Sequence, residues 1–444
     1  MSQKDNNVKT KSPKGAWLVM IIVFVAACSL AVAQYKAIPL IPSFIGDLHV
    51  NATDAGWIVS MFTLIGIVLA FPAVAIIKKW GIRIGGIVSL LFAILGGLLG
   101  LFVASDQVTI MVSRIIEGFG LGLIGVIAPS AIAMWFPIEK RGAPMGLFSG
   151  WQQVGIASSM FLGAPLIESF GKFFSFGPDG TWHWMILYVI GLVILVVALI
   201  LYALIVKDPP RDQNHADVQD TAGISIFSVV KIKNVWFVVL AGFAFGVANS
   251  VVIAWICTFW TTTGALGTFD PTTVLTPEVI VGVQGTPDYA LANIFTGIMY
   301  AIEVFACFGF GLILNKITRR RRFIVIDSVL YAVIFFMIFQ VNFFAGIIAM
   351  VILYSVIESG FCAAMWTLVT QTVPDPRYGP GAIALFTIAI DVGMMLGNPI
   401  GGFFIDNGWP WWALSILVCI AQLVAAAGYG FMKLYNEKGE EVKI

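Results

Sequence analysis

Six ionisable side chains interrupt otherwise apolar stretches of the chain: Lys36, Arg114, Glu117, Glu303, Glu358 and Asp391. A charge placed in hydrocarbon costs roughly 2.5–3.5 kcal/mol on insertion scales, so each of these groups needs a partner or a wet cavity. Arg114 and Glu117 are three residues apart, on one face of a helix and close enough to pair. The pair reads either as a structural lock or as a switch, in which a proton on Glu117 frees the Arg114 guanidinium for a substrate. Lys36 reads as an anion-binding ammonium or as a lysine snorkelling to an interface.

The carboxyls suggest proton chemistry. Glu358 shares a helical stripe with Tyr354 and Cys362, which suits a cavity wall. Its blander reading is a hydrogen bond to Asn249 or Ser250. Glu303 lies on a stripe with Thr296, Tyr300 and Cys307, and Asp391 aligns with Gln153 in an internal repeat. The expected substrate-binding set is therefore Lys36, Arg114, Tyr354 and Asn249, and the expected proton-coupling set is Glu117, Glu358, Glu303 and Asp391. Other chemistries lack their residues. There is no G-x-x-x-x-G-K-[ST] phosphate loop, the five cysteines have no metal spacing, and no nucleophile–base pairing is visible. The reading is of a non-enzyme without cofactor or metal, and a net charge of +1 implies no nucleic-acid partner.

The elements that must carry these groups are transmembrane helices. Hydrophobic residues make up 59% and charged residues 11% of the chain, where soluble proteins carry roughly 25% charged. Apolar runs fall near 16–43, 54–77, 84–104, 108–135, 143–167 and 183–206, then near 235–262, 289–314, 323–342, 344–371, 381–404 and 409–433. Lys9, Lys11 and Lys14 followed by Ala31-Val32-Ala33 imitate a signal peptide, but the apolar run continues to Ile45, which favours a first span. The polar stretch 207–233 reads as a linker between an N-terminal six-helix bundle, 1–206, and a C-terminal one, 234–444. With the N-terminus inside, inner segments hold 22 of the 25 Lys and Arg and the outer loops only Lys172. That asymmetry puts both termini in the cytoplasm and the chain in the cytoplasmic membrane.

The halves echo one another. Gly311 to Arg320 follows span 8 as Val74 to Arg83 follows span 2, and Leu147-Phe148-Ser149 matches Leu385-Phe386-Thr387. A six-plus-six repeat marks carriers that rock one half against the other around a central site.

On these motifs the chain resembles the major facilitator superfamily over essentially its whole length. The family's loop signature, G-x-x-x-D-R-x-G-R-R, survives after span 2 as Gly81 and Arg83, with Lys78 and Lys79 at the Asp-Arg positions. After span 8 it survives as Gly311, Arg319 and Arg320, with Asn315 and Lys316 at those positions. Arg114 and Gly118 match the R-x-x-x-G pattern of span 4. The stretches Gln34-Tyr35-Lys36 to Pro42 and Trp135-Phe136-Pro137 look most like small-anion carriers of the organic anion, cyanate and nitrate type; Gly163-Ala164-Pro165 in span 5 disfavours nitrate.

The resemblance implies an all-α membrane protein of twelve transmembrane helices in two pseudo-symmetric six-helix bundles. It also implies that spans 1, 4, 7 and 10 line the path. Lys78, Lys79, Arg83, Asn315, Arg319 and Arg320 would latch the outward-open state, or serve only as topology anchors. The leading expectation is a monomeric secondary carrier for a small organic anion, coupled to protons or working by exchange. The others are efflux of a cationic or amphipathic compound, which four buried acids allow, and a receptor on a transporter scaffold, which the short linker and the tail ending at Ile444 disfavour.

Overall fold

The computed structural model describes residues 15–69, 73–136, 140, 142–173, 176–177, 180–208, 226–264, 266, 276–314, 317, 319–436 and 440–442. It is almost wholly helical, with long helices at the twelve expected positions; among the described residues ten of them are long and apolar enough to cross a membrane. In the first half the helices are Ala16–Tyr35, Ala52–Leu69, Lys79–Phe102, Gln107–Trp135, Trp151–Phe170 and Ile186–Ile205. The second half holds Lys233–Thr262, Pro287–Leu314, Arg320–Ile338, Phe344–Val369, Gly379–Asp406 and Trp411–Phe431.

Several boundaries differ from the apolar runs, each for a local reason. The first run does not stay one helix to residue 43. It ends at Tyr35 and resumes as a short helix, Ile41–Asp47. Pro39 has no N–H to continue the ladder and disfavours helical geometry at Ile38, and the chain turns through 3.1 and 3.2 Å bonds from Ile38 N and Leu40 N to Tyr35 O and Ala37 O. The 143–167 run is broken as well, into Gly142–Phe148 and Trp151–Phe170. Between spans 2 and 3 the reversal is made at Gly81, whose φ of 74° favours glycine. Asp208 caps that turn, accepting from Ile82 N at 2.8 Å and Arg83 N at 3.2 Å. Most of the 207–233 linker lies outside the described residues; its far end holds a one-turn helix, Ile226–Val229.

An even number of spans puts both chain ends on one face, together with Lys79, Arg83 and Arg319 to Arg322. We call it the basic face. The halves meet where span 2 packs on span 11 and span 5 on span 8. Glycines allow the close approach: a Cβ on Gly56 would sit 2.7 Å from Asn398 backbone, and one on Gly402 2.3 Å from Ala52 O. Among the described residues, the hydrogen bonds between halves lie towards the face opposite the basic one. They join Ala52 and Thr53 to Asp406, Ser43 to Gln284, Pro39 to Tyr289, and Ser60 to Asn398. Among the described residues, the hydrogen bonds that stitch the halves together thus lie towards the end away from the basic face.

Candidate functional site

The break at Pro39 leaves carbonyls at the end of span 1 without helical donors. Arg114 takes them: one guanidinium nitrogen donates to Ala33 O at 2.6 Å and to Glu117 Oε2 at 2.8 Å, and the other donates to Gln34 O. Arg114 also lies over the Phe62 ring, 4.6 Å from its centroid. Lys36, at the cap of span 1, donates to the other oxygen of the same Glu117 and sits 4.0 Å above the Tyr188 ring.

This triad is fully enclosed: Arg114 and Glu117 are 0% exposed and Lys36 2%. Glycines make the space. A Cβ on Gly97 would lie 3.1 Å from Glu117 Oε1, and one on Gly191 3.5 Å from the Lys36 stem. Two cations share one carboxylate, and among the described residues no second acid pairs with either. The cluster therefore holds an excess positive charge. It is set among spans 1, 3, 4 and 6, inside the first half. The pair expected from the Arg114–Glu117 spacing is present. It locks span 4 to span 1, and Lys36 joins it rather than snorkelling to an interface.

The second half carries the opposite charge character. Asn249 of span 7 donates to Glu358 Oε1 at 2.7 Å and to the Tyr354 hydroxyl at 3.2 Å. Tyr354 and Tyr300 hydroxyls are 3.5 Å apart. Glu303 of span 8 lies against Glu358, yet both of its oxygens, and Oε2 of Glu358, lack a donor. Two ionised carboxylates cannot donate to one another, so the pair is satisfied only when a proton lies between them. No cation pairs with Glu303, Glu358 or Asp391 among the described residues.

Tyr35, in the first half, is within electrostatic reach of both Asp391 and Glu358. It stands where the two halves face each other. Its neighbour Lys36 turns the other way, into the triad.

Of the sequence-derived set, the structure brings together Lys36, Arg114 and Glu117, and separately Asn249, Tyr354, Glu358 and Glu303. The basic residues are scattered. Lys79 is exposed, Arg83 donates to Ala203 O at 3.0 Å within its own half, and Arg319 is the exposed N-cap residue of span 9, beside Arg320 in its first turn. The Lys78 side chain, Asn315 and Lys316 lie outside the described residues. Sequence reasoning passed over Tyr35, Tyr188, Asp208 and Asp406, and also Asp327, a buried carboxyl in span 9. Gly118, Gly120, Gly122 and Gly125 of span 4, whose spacing suggests one small-residue face, meet different neighbours. Gly118 and Gly122 meet span 2, Gly120 meets spans 1 and 3, and a Cβ on Gly125 would meet nothing within 4 Å.

Comparison with known proteins agrees with this architecture. A bacterial homologue of the human lysosomal transporter Spinster, in its inward-facing unoccupied conformation, has the same fold. The TM-score is 0.69 at 15% identity, with 95% of each chain covered. The nucleoside transporter NupG superposes equally well, at 13% identity over 94% of this chain and 99% of that one. Curated relatives include the "Uncharacterized MFS-type transporter YcnB" of Bacillus subtilis, 28% identical over 43% of this chain and 38% of its own length. The "Multidrug efflux pump SdrM" of Staphylococcus aureus is 25% identical over 48% and 43%, and "Probable anion transporter 6" of Oryza sativa 24% identical over 47% and 50%. The chain thus spans half or less of the length of these curated relatives. The Major Facilitator Superfamily model matches residues 19–381, and the chain belongs to that superfamily of membrane transporters.

Proposed function

We propose that the protein is a secondary active carrier of a small organic anion, with a carboxylate as the favoured class, coupled to protons or working by exchange. The observation that carries the reading is the buried triad in which two cations share one carboxylate. In a low-dielectric interior an unbalanced cation attracts an anion far more strongly than it would in water. Arg114 is committed to the span 1 carbonyls, so Lys36 is the mobile cation. A proton arriving on Glu117 would release Lys36 towards Tyr35 and the gap between the halves, where a substrate carboxylate takes the place of Glu117. In this reading Asn249 and Tyr354 contribute to substrate binding from the second half, and Glu303, Glu358 and Asp391 supply proton sites. The halves 1–206 and 234–444 rock about the 207–233 linker as a monomer, with the basic face in the cytoplasm. Lys78, Lys79, Arg83, Asn315, Arg319 and Arg320 anchor or latch that face.

The deciding experiment is uptake of radiolabelled carboxylates (lactate, pyruvate, oxalate, malonate) into proteoliposomes, with and without an imposed pH gradient. Saturable uptake that is lost in Lys36→Ala supports the reading; absence of uptake of all four removes it. A second reading is efflux of a cationic compound. The buried carboxyls of the second half, which have no cationic partner among the described residues, favour it, as does the likeness to SdrM. Pumping of ethidium that depends on Glu358 would establish that reading instead.

A further inference from the structure

Buried polar atoms without partners are rare, and each calls for a reason. In the second half, five of them belong to residues of the adjacent spans 8, 9 and 10 and can be read as a file. It begins at both oxygens of Glu303 and Oε2 of Glu358, continues through the Tyr331 hydroxyl, and ends at Oδ2 of Asp327. Tyr331 lies beside Glu358 and Tyr354, and it is one helical turn from Asp327 on span 9. Asp327 faces Gly360 of span 10, where a Cβ would sit 3.4 Å from its Oδ1. It also lies within electrostatic reach of Cys362, which in turn is near Glu358 and Glu303.

The file has a direction. Asp327 is seven residues from the start of span 9 at Arg320, about 10 Å from the basic face at 1.5 Å per residue. Glu358 is eleven residues from the end of span 10 at Val369, about 16 Å from the same face. Residual exposure rises the same way, from 0% at Glu303 to 4% at Glu358 and 8% at Asp327.

We propose that Asp327 is a proton-relay residue, passing protons by way of the Tyr331 hydroxyl between the Glu303–Glu358 pair and the basic face. The titratable group within electrostatic reach of Asp327 is Cys362 of span 10, which is itself within reach of Glu358, Glu303, Cys307 and Tyr429; Tyr331 is one turn along the same helix, with Phe245 of span 7 against its ring. Among the described residues Asp327 has no cationic partner, so nothing holds it permanently ionised. Arg321, nearby on span 9, is occupied with Gly430 O. A buried carboxyl without a cationic partner, one helical turn from a tyrosine that reaches a buried acid pair, suits a proton relay inside a membrane.

The inference rests on the proton-coupled form of the proposed function. Proteoliposomes are assayed with whichever of lactate, pyruvate, oxalate and malonate the wild type takes up best, in two modes: uptake driven by a pH gradient, and counterflow exchange without one. Asp327→Asn is expected to cut gradient-driven uptake at least about tenfold while exchange stays near the wild-type rate. Asp327→Glu, which keeps a titratable group, is expected to recover most of the driven uptake. Driven uptake at the wild-type rate in Asp327→Asn overturns the relay, and so does loss of both modes in Asp327→Asn and Asp327→Glu together, which marks a purely structural residue. A wild type that exchanges carboxylate without responding to the gradient overturns proton coupling itself and the relay with it, a result distinct from the other two.

Discussion

Asp406, the last residue of span 11, accepts hydrogen bonds from both the backbone N–H and the hydroxyl of Thr53, in the first turn of span 2, at 2.8 and 2.6 Å. Its other oxygen accepts from Ala52 N at 2.8 Å. A carboxylate from one half thus caps a helix of the other, where the free N–H groups and the helix dipole favour negative charge. Hydrogen bonds to charged groups contribute about 1.5–3 kcal/mol, and 1.4 kcal/mol corresponds to a tenfold change in population. Asp406→Ala is therefore expected to shift the carrier at least tenfold towards the state open at the face away from the basic one. Spin labels at Val50 and Trp409 report it, and an unchanged distance distribution would remove Asp406 from that role.

Arg114 and Lys36 should separate in their effects although they share Glu117. Arg114 satisfies two backbone carbonyls and one carboxylate oxygen at full burial. Lysine cannot reproduce that fork, and removing one partner from a buried ionic network costs about 3–5 kcal/mol. Arg114→Lys should fall sharply in thermal stability in detergent. Lys36→Ala leaves the Arg114–Glu117 pair in place, so it should lose transport with a much smaller drop in melting temperature. Equal drops for the two variants would contradict the division of labour.

The twelve spans could be read from hydropathy because every backbone polar group must be satisfied internally in lipid, which makes long helices the only economical solution. The Arg114–Glu117 pair followed from spacing on one helix, and Asn249–Glu358 from a short list of polar groups on facing spans. Contacts set by tertiary packing were not readable in this way. Arg114 binds carbonyls that become available only because Pro39 ends span 1. Asp208 and Asp406 read as solvated charges at helix ends until another helix is placed against them. Asp327 had a signal, a carboxyl inside the expected 323–342 span, but just past a run of arginines it reads as interfacial; only the approach of Gly360 shows it to be buried.

Span 4 offers a paired test of helix packing. A Cβ on Gly118 would lie 2.1 Å from Phe62 O, a backbone atom that cannot move aside cheaply. Overpacking of this kind typically costs about 1–3 kcal/mol, so Gly118→Ala should lower the melting temperature and the yield of folded protein. Gly125 has open space around its would-be Cβ. There Gly→Ala should be neutral or raise stability by up to about 1 kcal/mol through helix propensity. A destabilised Gly125→Ala beside an unaffected Gly118→Ala would mean that span 4 packs differently against span 2.

Glu303 and Glu358 can be told apart by what each substitution leaves unsatisfied. In Glu303→Gln the new NH2 can donate to Glu358 Oε2, which has no donor in the wild type. The substitution thus supplies permanently what a shared proton supplies reversibly, and folding stability should hold or rise by about 1 kcal/mol, the net worth of a typical hydrogen bond. Transport driven by a pH gradient should nevertheless collapse, because the amide neither takes up nor releases a proton. Glu358→Ala is the harsher change. It removes the acceptor of the 2.7 Å bond from Asn249 and leaves that buried donor without a partner. That variant should lose stability as well as driven uptake. Thermal denaturation and gradient-driven uptake measured side by side check both claims. A Glu303→Gln protein that still concentrates substrate against a gradient would mean that the pair shares no functional proton.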